Sequence, residues 1–144
     1  QTAEIILGAH VGLELIIDKS LNETKSPYDG KPSSVVEARK WDIYSGASSE
    51  YEQPKDVLSR GLKFIDNVLL KYSGMKIIAV THRDLIIFMY LWQREQPITA
   101  VEKLKLDGDF IALGSISTFT YTIGRTNKTP EFFYVDPYQH WRKT

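Results

Sequence analysis

The sequence contains no cysteine among its 144 residues. Disulfides, thiolate catalysis and cysteine-ligated metals are therefore excluded for these residues, and we expect a cytoplasmic protein. The three histidines, His10, His82 and His140, lie far apart and lack the spacing of metal ligands, so we expect neither a metal nor a cofactor. No apolar run is long enough to span a bilayer, and we expect no membrane partner.

An excess of charge of one sign is also missing, because 18 basic residues balance 18 acidic ones. Without a global positive field we expect no nucleic-acid partner. Apolar residues make up 42% and charged residues 25%, which is ordinary for a folded protein and argues against disorder. The composition and length predict a single domain over residues 1–144 with one sizeable core.

The first part of the chain predicts a helix, a strand and a loop. Residues 1–10 are amphipathic, and the helix they predict ends near Gly12. No N-cap residue precedes this helix, so we expect the chain to be a piece or a processed product of something longer. "LELIID" (residues 13–18) is typical of a short strand, and the polar segment at residues 19–34 predicts a loop. A short, weak helix is predicted after it.

The strongest helix pattern begins at Pro54, which suits a first helical turn. Gly74 suits a left-handed cap after its last turn. "MKIIAV" (residues 75–80) is continuously apolar, as in a strand buried on both faces of a parallel sheet. A buried helix is predicted over residues 84–95. The apolar stripe of the first helix comprises Val57, Leu58, Gly61, Leu62, Ile65, Val68 and Leu69.

Residues 114–124 and 130–136 are rich in β-branched and aromatic side chains and predict two strands. "GRTNKT" (residues 124–129) predicts the hairpin loop between them. Alternation of helices and strands predicts an α/β fold, a three-layer α/β/α sandwich with a mostly parallel mixed sheet and a hairpin near one edge.

The stretch "KIIAVTHRDLIIFMY" supports two interpretations. His82-Arg83-Asp84 matches part of the catalytic loop of a protein kinase, which also needs an asparagine five residues after the aspartate. That position is Met89, an apolar helix occupies the place of the polar loop, and no Asp-Phe-Gly follows. We therefore reject the kinase interpretation.

The second interpretation places His82 at the carboxyl end of a strand, where open α/β sheets bind ligands. Thr81 or Asp84 could cap the helix that follows, and a phosphate could meet both the helix N-terminus and the His82 side chain. The alternative is that His82 is a structural residue near a helix cap.

Several segments, taken in order, resemble the histidine phosphatase superfamily of phosphoglycerate-mutase-like enzymes. "QTAEII" resembles the end of a Ser-Pro-x-x-Arg-Ala-x-Gln-Thr-Ala-Glu motif, and "LELIIDKSLNE" resembles the strand with a Leu-x-Glu signature. "KIIAVTHRDLI" resembles the Val-Ser-His-Gly-x-x-Ile motif, and the closing strands are similar too. The resemblance spans nearly the whole chain. It implies a phosphoglycerate-mutase-like fold that is incomplete at its N-terminus.

The resemblance implies metal-independent phosphoryl transfer through a phosphohistidine. His82 matches the second histidine of the superfamily, which binds the phosphoryl group, and Glu23 matches the carboxylate that serves as acid and base. Thr81, Arg83 and Tyr28 are weaker candidates for substrate binding. Arg83 stands where the superfamily has glycine, and its side chain could contact phosphate or turn away to a carboxylate. For Glu23 the alternative is a solvated loop charge.

The superfamily's nucleophilic histidine belongs to an Arg-His-Gly motif that this chain lacks. We therefore expect these residues alone to be inactive and to pair with a missing N-terminal segment or a partner subunit. The parent protein is expected to be a phosphatase acting on a small phosphorylated metabolite. A phosphoglycerate mutase and a non-catalytic phosphate-binding or partner-binding module are the alternatives. The choice between monomer and homodimer stays open.

Overall fold

The structure is a computed structural model that describes residues 1–106, 110–121 and 131–137. Its elements are helices, one short 3₁₀ turn at Lys19–Leu21 and two strands. In chain order the helices and strands are α1 (Thr2–Leu7), α2 (Ser33–Glu37), α3 (Pro54–Lys71), α4 (Arg83–Gln93), α5 (Ala100–Lys105), β1 (Ile116–Thr120) and β2 (Glu131–Val135).

Helix α3 forms as the sequence predicts. Pro54 is its first residue, and the Asp56 carboxylate accepts the Gln53 backbone N–H at 2.9 Å, which supports the helix start. Gly74 has a φ of +77°, as expected of a glycine just beyond a helix end. Every residue of the predicted apolar stripe is buried or half-buried, so the 3.6-residue pattern identified the inner face of α3 correctly.

The core lies where α3 packs against α4. Gly61 makes close approach feasible, because a Cβ at this position would lie 2.6 Å from Cδ1 of Leu85. Helix α4 is the most buried element, as predicted from its apolar sequence, and Phe88 is fully enclosed. The buried apolar residues are Tyr44, Val57, Leu58, Leu85, Ile87, Phe88, Met89, Leu91 and Ile111.

The predictions of strands at residues 13–18 and 75–80 are wrong for the described structure. Both segments lack regular secondary structure, and no backbone hydrogen bond joins residues 13–17 or 76–80 to another described residue. Nor is the second segment buried on both faces, since Ile78 is 61% exposed. The apolar pattern is that of a strand, but a strand forms only where a neighbour accepts its ladder hydrogen bonds.

Strands β1 and β2 form the two-stranded antiparallel sheet, with Phe119 opposite Phe132. Phe119, Phe132 and Tyr134 pack against the core, whereas alternate residues face solvent. This confirms the two strands predicted near the end of the chain. The predicted loop at residues 124–129 and His140 lie outside the described residues.

Helices and a small sheet place the chain in the α/β class, while the three-layer sandwich with a mostly parallel sheet stays a prediction. Helix α5 has no counterpart among the predicted elements. Thr99 caps it, accepting the Glu102 backbone N–H at 3.2 Å. In the described part of the chain, no helix is both long and apolar enough to cross a membrane.

Candidate functional site

His82 lies directly before helix α4 and serves as its N-cap residue, with extended backbone angles. The His82 side chain itself makes no N-cap hydrogen bond to the helix, and the positive end of the helix dipole lies beside the imidazole. His82 is about half exposed, at 48% for its side chain. The ring is therefore open to a ligand in solution rather than enclosed in the core.

Glu23 lies against His82, with its Oε2 2.9 Å from the imidazole Nδ1. Its other oxygen, Oε1, accepts the backbone N–H of Thr24 at 2.9 Å. Since Nδ1 faces the carboxylate, Nε2 is the ring nitrogen left for a ligand. The Glu23 side chain is 60% exposed, so its carboxylate lies at the surface rather than in the core.

Thr81 holds two distant segments together. Its hydroxyl donates to the carbonyl of Leu21 at 2.8 Å, which joins the end of residues 75–80 to the 3₁₀ turn before Glu23. The prediction that Thr81 or Asp84 caps α4 is wrong, because the helix has no such side-chain bond. Both side chains bind elsewhere, and the Thr81 contact brings the His82 and Glu23 segments together.

Two residues after His82, the Asp84 carboxylate is the centre of a buried polar cluster. Its Oδ2 accepts hydrogen bonds from the Tyr44 hydroxyl and from the Lys103 ammonium, each at 2.7 Å. The Lys103 Nζ also donates to the Trp41 carbonyl at 3.3 Å. On the other side of Tyr44, the Thr24 hydroxyl lies 3.4 Å from the phenol oxygen.

The Tyr44 phenol stays protonated in this cluster. Burial raises its pKa far above the ordinary value, and the negative Asp84 carboxylate raises it further. The phenol therefore keeps its proton at neutral pH and donates it in the hydrogen bond to Asp84. Its ring is also held in place, packing edge-to-face on Phe88 with centroids 5.6 Å apart.

The two remaining candidates are Arg83 and Tyr28. Arg83 is the first residue of α4 and is half-buried. Tyr28 lies in the loop after Glu23, where its ring is 5.4 Å from the Lys31 Nζ and 5.3 Å from the Arg39 guanidinium carbon. The ring contacts of Tyr28 are thus with cations of its own region.

Sequence reasoning missed the parts of the site that come from distant segments. Tyr44 and Lys103 carry no local motif that would single them out. Asp84 does give a signal, because a carboxylate within the apolar run "DLIIFMYLW" requires a partner if that helix is buried. The identity of this partner depends on the fold. In the part of the chain that the structure describes, no group of three or more histidine and acidic side chains could hold a metal ion.

Comparison with known protein families supplies the context for this geometry. The family model described as histidine phosphatase superfamily (branch 1) matches residues 1–129. These residues include both members of the His82–Glu23 pair and the whole buried cluster. No curated protein and no solved structure matches this chain.

Proposed function

Because this chain belongs to the histidine phosphatase superfamily, we propose that its parent protein is a metal-independent phosphomonoester hydrolase. The reaction would pass through a phosphohistidine formed on a histidine other than His82. The observation that carries the proposal is the 2.9 Å contact between His82 Nδ1 and Glu23 Oε2 at the start of α4. These are the two residues for which the superfamily motifs imply roles in phosphoryl transfer.

His82 is proposed to bind an equatorial oxygen of the phosphoryl group through Nε2. Glu23, at Nδ1, would keep the ring oriented so that Nε2 faces the phosphoryl oxygens on which negative charge develops. The N-terminal end of α4 adds a favourable dipole for an anion. The superfamily motif further implies that Glu23, when its carboxyl group carries a proton, donates that proton to the leaving oxygen.

The test is turnover of 4-nitrophenyl phosphate by the full-length protein, with and without a chelator. We expect His82→Ala to lower kcat by about 100-fold or more, in line with the loss of one preorganised donor to a developing oxyanion. His10→Ala is the matched control, because His10 is also exposed, and it should retain full activity. Undiminished turnover by His82→Ala would remove His82 from the site, and loss of activity on chelation would contradict a metal-independent reaction.

A phosphoglycerate mutase remains the runner-up within the same chemistry. Mutases of the superfamily use an insertion after the Leu-x-Glu signature to hold their substrate. Here the interval between Glu23 and Pro54 is short and polar, and the only regular helix described in it is the five-residue α2. This favours hydrolysis, and a coupled assay for interconversion of phosphoglycerates by the full-length protein distinguishes the two reactions.

The exposed apolar segments favour a second candidate function, which is assembly. Residues 13–17 and 75–80 expose consecutive apolar side chains, so both of their faces are open. The backbone groups of residues 13–17 and 76–80 are not bonded to other described backbone groups. We propose that they pair with a further β-strand, since strand addition satisfies backbone groups and buries alternate side chains on both faces.

An apolar dye that fluoresces on hydrophobic surfaces tests this second candidate. We expect the 144-residue chain to bind the dye and Ile78→Ser to bind less of it. Val101→Ser is the matched control, because Val101 in α5 is also 61% exposed but is not part of these segments. Equal dye binding by both variants, together with slow amide exchange at residues 76–80, would show that the segment is already covered.

A further inference from the structure

We propose that Tyr44 and Asp84 belong to a buried network that positions Glu23 against His82. This inference rests on the function proposed above for the pair. The Tyr44 hydroxyl donates to Asp84 Oδ2 at 2.7 Å and lies 3.4 Å from the Thr24 hydroxyl oxygen. Thr24 directly follows Glu23, and Asp84 comes two residues after His82. The phenol thus connects the backbones that carry the two members of the pair.

On the His82 side, the network fixes the first turn of α4. Asp84 is the second residue of that helix, and one carboxylate oxygen accepts both the Tyr44 hydroxyl and the Lys103 ammonium. Asp84 and Lys103 are both buried. A buried ion pair often adds little stability compared with apolar residues of the same size. Its two short contacts do, however, restrict where the start of α4 can lie.

On the Glu23 side, Thr24 is the contact between the loop and the network. Residues 23–26 have no regular secondary structure, so neither a helix nor a ladder holds Glu23 in place. Thr24 is buried, and it acts through two groups. Its backbone N–H binds Glu23 Oε1, and its hydroxyl faces Tyr44. Removing the phenol oxygen should therefore loosen Glu23 while leaving the Tyr44 ring packed on Phe88.

Histidine NMR of the 144-residue chain tests the network without requiring activity. The chain has three histidines, so the Cε1–H resonance of His82 can be assigned by its loss in His82→Ala. Glu23→Gln defines the displacement produced when the carboxylate is removed. We expect Tyr44→Phe to move the resonance toward the position seen in Glu23→Gln.

Tyr134→Phe is the control for this measurement. It also deletes a phenol oxygen with a hydrogen bond, which accepts the Ala112 backbone N–H at 2.9 Å near the hairpin. The His82 resonance should stay in place in this variant. A resonance that moves in Glu23→Gln but not in Tyr44→Phe overturns the proposal. A His82 resonance that does not move in Glu23→Gln also overturns the proposal, because the His82–Glu23 pair would then not exist.

A second pair of variants tests the network by substitution of Thr24. These variants replace the test above if Tyr44→Phe does not fold. Thr24→Val keeps the shape and removes the hydroxyl, whereas Thr24→Ser keeps the hydroxyl. We expect displacement of the His82 resonance in the valine variant and restoration in the serine variant. The displacement should be smaller than in Tyr44→Phe, because a 3.4 Å contact is weaker than one of 2.7 Å. Equal spectra for the two Thr24 variants would overturn the role of Thr24.

Turnover by the full-length protein separates positioning from general stability. Loss of a proton donor harms a poor leaving group, phenol, more than a good one, 4-nitrophenol. A displaced Glu23 should harm the two substrates unequally in the same way. We therefore expect the fold-decrease in kcat caused by Tyr44→Phe to be about ten times larger on phenyl phosphate than on 4-nitrophenyl phosphate. Equal losses on both substrates would contradict the proposal. If the wild-type protein has no turnover but the NMR displacements occur, the proposed function fails and the positioning network stands.

Discussion

The imidazole Nδ1 of His82 and the Oε2 of Glu23 are 2.9 Å apart, although helix α3 lies between them in the chain. The contact between the Thr81 hydroxyl and the Leu21 carbonyl helps to bring their segments together. A histidine and a carboxylate so placed should respond to a phosphate ion in opposite ways, since one attracts an anion and the other repels it.

We therefore expect opposite changes in the Kd of inorganic phosphate for the 144-residue chain. His82→Ala should weaken binding about tenfold or more, the loss expected for a hydrogen bond to a charged group. Glu23→Gln should strengthen it, because a negative charge beside the anion is removed. Titration followed by phosphorus NMR measures both. His10→Ala serves as the control, and equal effects of the two histidine variants would contradict specific binding at His82.

The elements predicted correctly are those in which the local pattern alone determines the structure. Helix α3 has both a start residue, Pro54, and a continuous apolar stripe, and the hairpin strands have alternating β-branched and aromatic residues. Residues 13–18 and 75–80 show why the other elements could not be predicted correctly from the sequence. Their composition is that of strands, but pairing depends on a neighbour, and a local pattern contains no information about whether one is present.

The candidate site divides in the same way. His82 and Glu23 could be identified from the sequence because the superfamily motifs mark them. Tyr44 and Lys103 could not, since they approach Asp84 from positions 40 residues before it and 19 residues after it. Side chains that meet through the fold leave no signature at a fixed spacing, so the amino-acid sequence alone does not reveal them.

The buried ion pair predicts that substitutions of two lysines in α5 differ widely in their effect on the free energy of unfolding. Lys103→Met removes the cation from a buried carboxylate, Asp84, and should lower the free energy of unfolding by about 3–5 kcal/mol. Lys105→Met removes the partner of the more exposed Glu102 and should change it by less than about 1 kcal/mol. Urea denaturation measures both. Similar losses of stability in the two variants would mean that the buried Asp84 carboxylate does not depend on Lys103 to balance its charge.

The raised pKa of Tyr44 predicts a loss of stability in alkali. The unfolded phenol releases its proton near pH 10.0, whereas the folded phenol, buried beside Asp84, retains it. The folded state therefore binds more protons above that pH, and the free energy of unfolding falls by about 1.4 kcal/mol per pH unit from this group. The contribution is fully present below pH 10.

Tyr44→Phe has no phenol to titrate, so the stability difference between wild type and this variant should be constant below pH 10. Above that pH it should shift steadily in favour of the variant. Unfolding by urea at a series of pH values between 8 and 11.5 measures the difference, and the contributions of the other ionisable groups largely cancel in it. A difference that stays constant over this whole range would contradict the raised pKa.

Gly61→Ala should destabilise the protein, although alanine has a higher helix propensity than glycine. Alanine stabilises a helix interior by about 1 kcal/mol relative to glycine. At this position, however, the new Cβ would lie 2.6 Å from Cδ1 of Leu85, a buried side chain that would have to shift within the core. Overpacking of this kind costs about 1–3 kcal/mol, so we expect Gly61→Ala to lower the melting temperature.

Two companion variants establish the cause. Ser59→Ala lies on the exposed face of the same helix and should raise stability slightly through propensity alone. Leu85→Val shortens the side chain that Gly61→Ala would strike, so the double variant should lose less stability than the sum of the two single losses. Thermal unfolding of the wild type, Gly61→Ala, Leu85→Val and the double variant gives this coupling. If Gly61→Ala were as stabilising as Ser59→Ala, α3 and α4 would not approach as closely at Gly61 as the structure indicates.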